Sequence, residues 1–438
     1  MEKRYRRSIY LNYLFRCIGI ALSFFSVKVQ LAYLGTTLYG MWATVLSIIG
    51  WMSYGDLGIA NGLRNELAAA IGREDHLKEK EIIGSAFSII SKLSACLLCI
   101  FVGVIEILFR LNIVETTLRT PIYITSLFFC INFVLGISTS LAYSYQASWI
   151  PGAVLVTNSV LAILSVLGLL KSGGEANLVL FSIVYGCAGL ISNLFGFVLL
   201  RRCGIKLPKI RELKKKSSSE STKMIASIGI RFFIIQLCGL VLDSTDNLII
   251  NRLFGADAVT EYSLVNKVFS TGNQFFSILL ISLWSAVTIR YVKGETKWIR
   301  NEISRIRKLW IVYACGVWLV AVLFQTIMNI WLGKEAIQFQ TSLVLVFAAY
   351  ETVHSFGAIY VNVVNGIGSI KEEMILSIVG AIINIPLSVF LGKNCGMGSM
   401  GVRAATLFCR LGTVTLIPYV AYRELRKKEA ELSSATGS

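Results

Sequence analysis

The chain has 438 residues, of which 55% are hydrophobic and only 15% are charged. Soluble domains carry roughly 25% charged residues, so this composition excludes a single water-soluble globule. The mean hydropathy of +0.68 arises from apolar runs that are long enough to cross a bilayer. The composition therefore indicates an integral membrane protein.

The formal net charge of +17 results from 42 Lys and Arg against 25 Asp and Glu. In a soluble protein this excess would indicate a nucleic-acid partner. Here most cations lie between the apolar runs, and we expect no nucleic acid. The ten cysteines lie almost all inside the runs and are interpreted as small core residues. The chain has only two histidines, His76 and His354. Because metal sites and Ser-His-Asp hydrolases commonly use histidine, we expect no metal, no cofactor and no catalytic residue.

The basic start of the chain, from Lys3 to Arg7, precedes an apolar run as in a signal peptide. Because Arg16 and Lys28 interrupt that run and no small-residue cleavage site follows, we interpret it as the first membrane span. A tight corner at Trp149–Gly152 separates the fourth span from the fifth. Apolar runs of about 20 residues predict twelve spans, with limits at 9–34, 38–60, 82–109, 121–148, 151–170, 178–200, 225–250, 259–289, 309–331, 339–365, 373–391 and 400–421.

Lys and Arg accumulate on one side of the predicted bundle. The segments that would share a side with the amino terminus hold 29 of the 42 cations. Because basic loops remain cytoplasmic, we expect both termini in the cytoplasm. The opposite loops are short and leave no room for a periplasmic domain.

The longest loop, at residues 201–224, divides the chain into halves of six spans each. Its basic and Ser-rich sequence predicts a flexible linker. The expected organisation is an N-terminal six-helix lobe at 1–200, a basic cytoplasmic linker at 201–224, a C-terminal six-helix lobe at 225–421 and a cytoplasmic tail at 422–438.

A weak internal repeat supports this division. The first span ends in Tyr33-Leu34-Gly35, and the seventh span ends in Leu253-Phe254-Gly255. Each half has six spans, an even number, so both halves begin on the same side of the membrane and the repeat is parallel.

Charged side chains inside the spans are informative, because a charge near the bilayer centre costs at least about 2.5–3.5 kcal/mol. Arg16 lies on a polar face of the first span, where it either lines a cavity or extends to the inner interface. Lys28 lies about 120° from Arg16 on the helix, near the outer end, where extension to the headgroups is the simpler interpretation. Lys92 in the third span is a further candidate cation, and Glu106 shares its face.

The seventh span carries two carboxylates, Asp243 and Asp246. At this spacing they repel unless one is protonated, paired or bound to a cation. Two interpretations stay open, a coupling-ion site and a structural pairing with Arg or Lys of a neighbouring helix. The eighth span contributes Lys267, and the tenth contributes Glu351 with His354 about 60° round the helix.

The twelfth span carries Arg403 and Arg410, two turns apart on nearly the same face. Arg410 is far from both predicted ends of its span, so it is the cation least explained by extension to the interface. Together these residues describe a hydrophilic surface with more cations than anions. Such a surface implies an anionic ligand that is too polar to cross lipid unaided.

Two motifs carry a family resemblance. The first consists of Tyr33-Leu34-Gly35, Tyr39-Gly40-Met41-Trp42 and the stretch from Tyr54 to Leu67, YGDLGIANGLRNEL. The second half adds residues 244–250, STDNLII, and residues 254–262, FGADAVTEY. Over essentially the whole chain, the sequence resembles the bacterial polysaccharide-unit transporters, the O-antigen flippases of the Wzx type.

The resemblance implies an all-α membrane fold of two six-helix lobes around a central cavity, related to the multidrug and toxic-compound exporters. In that fold the first, second, seventh and eighth helices line the cavity, and they carry Arg16, Asp56, Asp243 and Lys267 here. Arg16 and Lys267 match the cavity cations that such proteins use for a lipid pyrophosphate. Asp56 and Arg64 lie at the cytoplasmic end of the second span, where they either contact substrate or form a structural ion pair that shapes a gate.

The expected function is the transfer of an oligosaccharide unit linked to undecaprenyl pyrophosphate, from the cytoplasmic to the periplasmic leaflet of the bacterial inner membrane. The predicted substrate-binding residues all carry positive charge: Arg16, Lys28, Lys92, Lys267, Arg403 and Arg410. The predicted ion-coupling or gating residues are Asp56, Arg64, Asp243, Asp246, Glu351 and His354. The coupling ion, if one is used, is H⁺ or Na⁺. The resemblance also implies membrane lipids, a polysaccharide polymerase and a chain-length regulator as partners.

Three other functions remain open at this stage. A drug or cation antiporter on the same fold predicts a cavity dominated by carboxylates and aromatic rings. A membrane-embedded polymerase or ligase would need a sizeable periplasmic loop with catalytic groups, which the short outer loops do not provide. The third is a scaffold that binds lipid-linked intermediates without moving them, and only a transport assay distinguishes it from a flippase. No loop of the form G-x-x-x-x-G-K-[ST] is present, so we expect no direct use of ATP.

Overall fold

The computed structural model describes residues 2–111, 114–205, 218–332 and 338–436. Within these ranges the regular secondary structure is helical, without a strand, which confirms the predicted all-α class. The chain divides into two compact units, residues 1–230 and 231–438.

The N-terminal unit is built on long apolar helices. Helix α1 packs along α6, and α4 packs along α7. A 3₁₀ helix at Trp51–Asp56 connects α1 to the short α2. The helices in chain order are α1 (Glu2–Gly50), α2 (Ile59–Arg73), α3 (His76–Arg110), α4 (Arg119–Leu135), α5 (Ile137–Ser144), α6 (Trp149–Lys171), α7 (Leu178–Arg202) and the start of α8 (Ser219–Phe254).

The C-terminal unit is organised around α12, which packs against α9, α10 and α14. Gly366 allows the close approach of α9 and α12, because a Cβ atom there would lie 2.7 Å from the carbonyl oxygen of Trp284. The helices that follow α8 are α9 (Ala256–Val292), α10 (Thr296–Val322), α11 (Phe324–Leu332), α12 (Thr341–Ile367), α13 (Lys371–Val389) and α14 (Gly398–Thr436), with a π-helical turn (Phe390–Asn394) after α13.

The span count follows from the lengths of these helices. Ten helices in the described ranges are long and apolar enough to cross a membrane, and the bent pair α10 and α11, which meet at 69°, adds an eleventh. Helix α1 has 49 residues and is interrupted at Gly35. At 1.5 Å per residue it is more than twice as long as the hydrocarbon core, which is about 30 Å thick. Counted as two spans, α1 brings the total to the predicted twelve.

The internal repeat has a structural counterpart in two glycines. Gly35 interrupts α1 with φ 66° and ψ 178°, and Gly255 separates α8 from α9 with φ 87° and ψ 177°. Positive φ with ψ near 180° is a conformation that essentially only glycine adopts. Each unit therefore has the same backbone break after its first span.

Two helix ends differ from their predicted positions. The predicted corner at Trp149–Gly152 is wrong, because α6 already begins at Trp149 and the chain turns before it, where Gln146 has φ 56°. Pro151 lies in the first turn of α6, where its missing N–H removes no helical hydrogen bond. Of the predicted linker at 201–224, residues 206–217 lie outside the described residues. Helix α14 continues past the predicted end of the twelfth span and includes most of the predicted tail.

Candidate functional site

Five charged side chains of the C-terminal unit lie within electrostatic range of one another. They come from three helices, with Asp243 and Asp246 on α8, Glu351 on α12, and Arg403 and Arg410 on α14. We call these five residues the C-terminal charge cluster. It holds three carboxyl groups and two guanidinium groups in a region otherwise built from apolar helices.

Arg403 and Asp246 form the most buried pair of the cluster. Arg403 Nη1 lies 3.5 Å from Asp246 Oδ2, and their side chains are 7% and 1% exposed. The Tyr262 hydroxyl donates to the same carboxylate, and the Thr406 hydroxyl lies 3.4 Å from Asp246 Oδ1. Several donors therefore share the charge of Asp246, as a buried carboxylate requires.

Aromatic rings hold the Arg403 guanidinium in place. Its Cζ atom lies 3.6 Å from the centroid of the Tyr350 ring and 4.5 Å from that of Phe347. A cation that is stacked, paired and buried in this way has little freedom to accept a new ligand. The structure thus places the predicted substrate residue Arg403 in a fixed pair.

Arg410, two turns after Arg403 on α14, forms a looser pair with Asp243. Arg410 Nη2 lies 3.7 Å from Asp243 Oδ2, with side chains 19% and 54% exposed. The Tyr350 hydroxyl lies 3.4 Å from Asp243 Oδ1, a weak hydrogen bond. Because Asp243 is half-exposed and loosely held, an incoming anion can replace it on Arg410 with little loss of packing.

Glu351 of α12 is buried within electrostatic range of Arg403 and Asp243. Tyr313 donates a hydrogen bond of 2.8 Å to its carboxylate, and Ser355 donates to its backbone carbonyl. His354 stacks on Tyr350, with ring centroids 5.4 Å apart and nearly parallel planes. Of the two groups predicted for ion coupling in the tenth span, Glu351 thus belongs to the cluster and His354 lies beside it.

The cluster does not form a metal site of the usual kind. No group of three or more His, Cys, Asp or Glu side chains that could hold a metal ion occurs in the part of the chain that the structure describes. Arginines occupy the positions around Asp243 and Asp246 where a cation would bind. The arrangement is better suited to exchanging one anion for another on a guanidinium.

The N-terminal unit brings Arg16 and Arg64 together at Tyr143. The Arg64 guanidinium lies over the Tyr143 ring at 4.8 Å, and Arg16 is within electrostatic range of the same side chain. Arg64 is buried in α2, outside the candidate spans, and burial lowers its pKa to about 9. It therefore remains a cation at neutral pH.

Asp56 ends the 3₁₀ helix that precedes α2. Its carboxylate accepts a hydrogen bond of 3.0 Å from the Gly58 N–H. Burial raises the pKa of Asp56, and hydrogen bonds from the backbone of Gly58 and Ala60 oppose that rise. This carboxylate shapes the turn into α2, and it is not among the ion pairs found between the described residues.

Three other predicted cations lie at exposed positions of their helices: Lys28, Lys92 and Lys267. None of them forms an ion pair with a carboxylate in the described ranges. Glu106, which the sequence placed on the face of Lys92, pairs instead with Arg119 and accepts a hydrogen bond from Tyr123. These lysines are available to a ligand or to the membrane interface.

Sequence reasoning missed the neutral members of the site. Tyr262, Tyr313, Tyr350 and Thr406 provide its hydroxyl donors. Thr406 is one turn after Arg403 and one before Arg410, so helical spacing alone could have indicated it. The tyrosines lie in apolar helices and carry no pattern that distinguishes them from core aromatic residues.

Comparisons with known proteins agree with this architecture. No family model matches the chain. A protein of Yersinia pseudotuberculosis named "Putative O-antigen export protein" is 20% identical over 414 residues, which cover 90% of this chain and 89% of the relative. An outward-facing multidrug resistance MATE family transporter of the MOP superfamily has a TM-score of 0.75 at 12% identity. A MOP superfamily transporter of Pyrococcus furiosus, described as having a binding pocket of reverse polarity, has a TM-score of 0.77 at 13% identity. Both solved structures match over 97% of each chain.

These likenesses define the class of the molecule. The chain is a multi-pass membrane protein with the fold of the MOP superfamily transporters. Its similarity to an O-antigen export protein confirms the resemblance to polysaccharide-unit transporters that the motifs indicated. The comparisons agree with a transporter rather than an enzyme.

Proposed function

We propose that this protein is a flippase for oligosaccharide units linked to undecaprenyl pyrophosphate. The observation that carries the proposal is the unequal state of two arginines on α14. Arg403 is locked by Asp246 and two rings, whereas the ion pair of Arg410 is a longer one with the half-exposed Asp243. Arg410 is the intramembrane cation best suited to receive a phosphate.

The chemistry of the substrate explains why such a cation is needed. A sugar headgroup cannot lose its water without replacement hydrogen bonds, so it crosses through a polar cavity. The pyrophosphate needs cations, and a guanidinium offers two parallel donors to phosphate oxygens. The polyprenyl tail can stay in lipid throughout.

Competition at Arg410 gives the site a simple switching mechanism. Phosphate and the Asp243 carboxylate accept from the same guanidinium, so binding of the lipid pyrophosphate releases Asp243. When the phosphate leaves, Asp243 returns to Arg410 and resets the site. Asp246 and Arg403 keep the surrounding helices in place during this exchange.

The remaining cations are assigned supporting roles. Arg16 and Arg64 at Tyr143 form the first contact for the anion, with Asp56 shaping the entrance. Lys92 and Lys267 attract the substrate without fixed geometry, because a lysine ammonium is a compact charge on a flexible stem. Lys28 extends to the headgroups.

The driving force includes the membrane potential. With the cytoplasm negative, outward movement of an anion gains roughly 2.3 kcal/mol per charge per 100 mV. Where transport is coupled to H⁺ or Na⁺, we assign the coupling to Asp243, since it is released when phosphate binds. Glu351 and His354 then tune its surroundings.

The proposed setting is the bacterial inner membrane with both termini in the cytoplasm, by the distribution of Lys and Arg. Alternating access moves the unit from the cytoplasmic to the periplasmic leaflet. A polysaccharide polymerase and a chain-length regulator consume the product there.

The assignment is tested in a strain that lacks the gene. Deletion should stop polymerised surface polysaccharide and leave lipid-linked units in the membrane, and the wild-type gene should restore display. Intact display together with altered sensitivity to toxic cations would favour a drug or cation antiporter instead. Loss of chain length with units still reaching the periplasm would favour a polymerase or ligase.

A further inference from the structure

A basic cleft lies in the N-terminal unit, and none of the charged residues of the candidate site described above is among those that line it. Its volume is about 720 Å³. Three helices form it, and the residues that line it include Arg7, Leu11 and Phe15 of α1, Trp149 of α6 and Arg202 of α7. We call it the basic cleft.

Two cations face this cleft without a carboxylate partner. Arg7 and Arg202 are both exposed, and neither forms an ion pair with a carboxylate in the part of the chain that the structure describes. Two guanidinium groups around one cavity repel each other unless an anion lies between them. A phosphate suits this position, because it accepts from both.

The walls of the cleft are held by packing and hydrogen bonding. Ser8 and Ser148 share a hydrogen bond of 2.8 Å that joins α1 to the start of α6. Phe15 stacks on Trp149 with ring centroids 6.0 Å apart. Gly152 permits this contact, because a Cβ atom there would lie 2.9 Å from Phe15 Cβ. The cleft is therefore a built feature of the unit.

The apolar part of the cleft indicates a lipid rather than a soluble anion. Leu11 and Phe15, one and two turns after Arg7 on α1, also line the cleft. Further along α1, Leu14 and Ile18 are 54% and 37% exposed, so the apolar surface continues away from the charges. Tryptophan is the residue typical of the depth where headgroup meets acyl chain.

We propose that the basic cleft holds an anionic phospholipid, with Arg7 and Arg202 on its phosphate and Trp149 beside its glycerol region. The acyl chains lie along Leu11 and Phe15. This lipid is a resident partner of the N-terminal unit, and the inference does not depend on the transported substrate. The basic residues at the start of α1 and the end of α7 also attract anionic lipids of the adjacent leaflet.

The test uses the full-length protein purified in mild detergent. Native mass spectrometry should find phosphatidylglycerol bound to the wild type and lost from the double variant R7A/R202A. In titrations that follow thermal stability, the double variant should bind phosphatidylglycerol about 30-fold more weakly, since each of the two cations near an anionic surface contributes about fivefold. The charge-matched control R73A/R201A removes two exposed arginines that do not line the cleft and should bind like the wild type.

A second readout reports on the position of the lipid. Brominated phosphatidylglycerol should quench part of the tryptophan fluorescence, and W149F should remove that part. Equal stabilisation by inorganic phosphate or by phosphatidylethanolamine would overturn the proposal. So would equal loss of lipid in R73A/R201A, or binding restricted to an isoprenyl pyrophosphate.

Discussion

Arg403 and Arg410 lie two turns apart on one helix, yet their surroundings give them different tasks. Arg403 has a buried carboxylate at 3.5 Å and aromatic rings on its guanidinium. Arg410 has a carboxylate at 3.7 Å that is half-exposed. Removing one partner of a buried pair leaves an uncompensated charge, whereas removing a loosely held one leaves mainly a free ligand site.

The buried pair should therefore act through stability. We expect D246N and R403Q each to lower the free energy of unfolding by about 3–5 kcal/mol, because each leaves the other charge unpaired. The double variant D246N/R403Q should lose less than the sum of the two. Thermal unfolding of the purified protein measures this cycle, and strictly additive losses would show that the two residues do not interact.

The sequence predicted the charges of the site but not their pairing. Helical spacing placed Asp243, Asp246, Arg403 and Arg410 inside their spans and left both a coupling-ion site and an ion pair open. Which arginine meets which carboxylate depends on the approach of α8 to α14, and no local pattern encodes that distance. Tyr262 and Tyr350 were missed for the same reason, since their partners lie on other helices.

Long helices in this protein are divided by glycine conformation. Gly35 and Gly255 both have positive φ with ψ near 180°, and neither has a neighbouring atom within 4 Å of an added Cβ. The requirement for glycine is therefore one of backbone freedom and not of space. The sequence motifs marked both positions. The predicted spans also ended near each glycine and began again after it.

We expect G35A and G255A each to destabilise the protein by about 1–3 kcal/mol, the cost of a strained backbone conformation. The matched controls are G40A and G239A, because these glycines also have no atom within 4 Å but lie in regular helix. Alanine should be neutral or slightly stabilising at both control positions. The comparison is made by thermal unfolding in detergent, and equal effects at all four positions would contradict the argument.

At the scale of the whole chain, composition was the strongest signal. The predicted all-helical class and the twelve spans follow from the apolar runs, once α1 is counted as two spans at Gly35. Helix ends were less predictable, as the turn before Trp149 demonstrates, because Pro151 marks the first turn of a helix as readily as a corner. The repeat of spans and breaks in both units is typical of an internally duplicated transporter.

The topology can be tested with reporter fusions. We expect a green fluorescent protein fused after the last residue to fluoresce, and alkaline phosphatase fused in the exposed turn at Gly173 to be active. The same phosphatase fused at Gly204 should be inactive, because that turn is expected on the cytoplasmic side with the basic loops. An active phosphatase at Gly204 would reverse the proposed orientation.

We propose that Arg410, released from Asp243, carries the phosphate of a lipid-linked unit across the membrane. The most direct measurement is the amount of lipid-linked unit accessible to an added glycosidase on the outer face of spheroplasts, in a strain that lacks the gene and the polymerase and expresses each variant at equal membrane levels. R410A should lower the accessible amount about 10- to 100-fold, the loss expected for a hydrogen bond between charged groups, and D243N should retain binding but slow release. The control R110A, an exposed arginine at the end of α3, should behave like the wild type. Wild-type accessibility in a stably folded R410A variant would contradict the account.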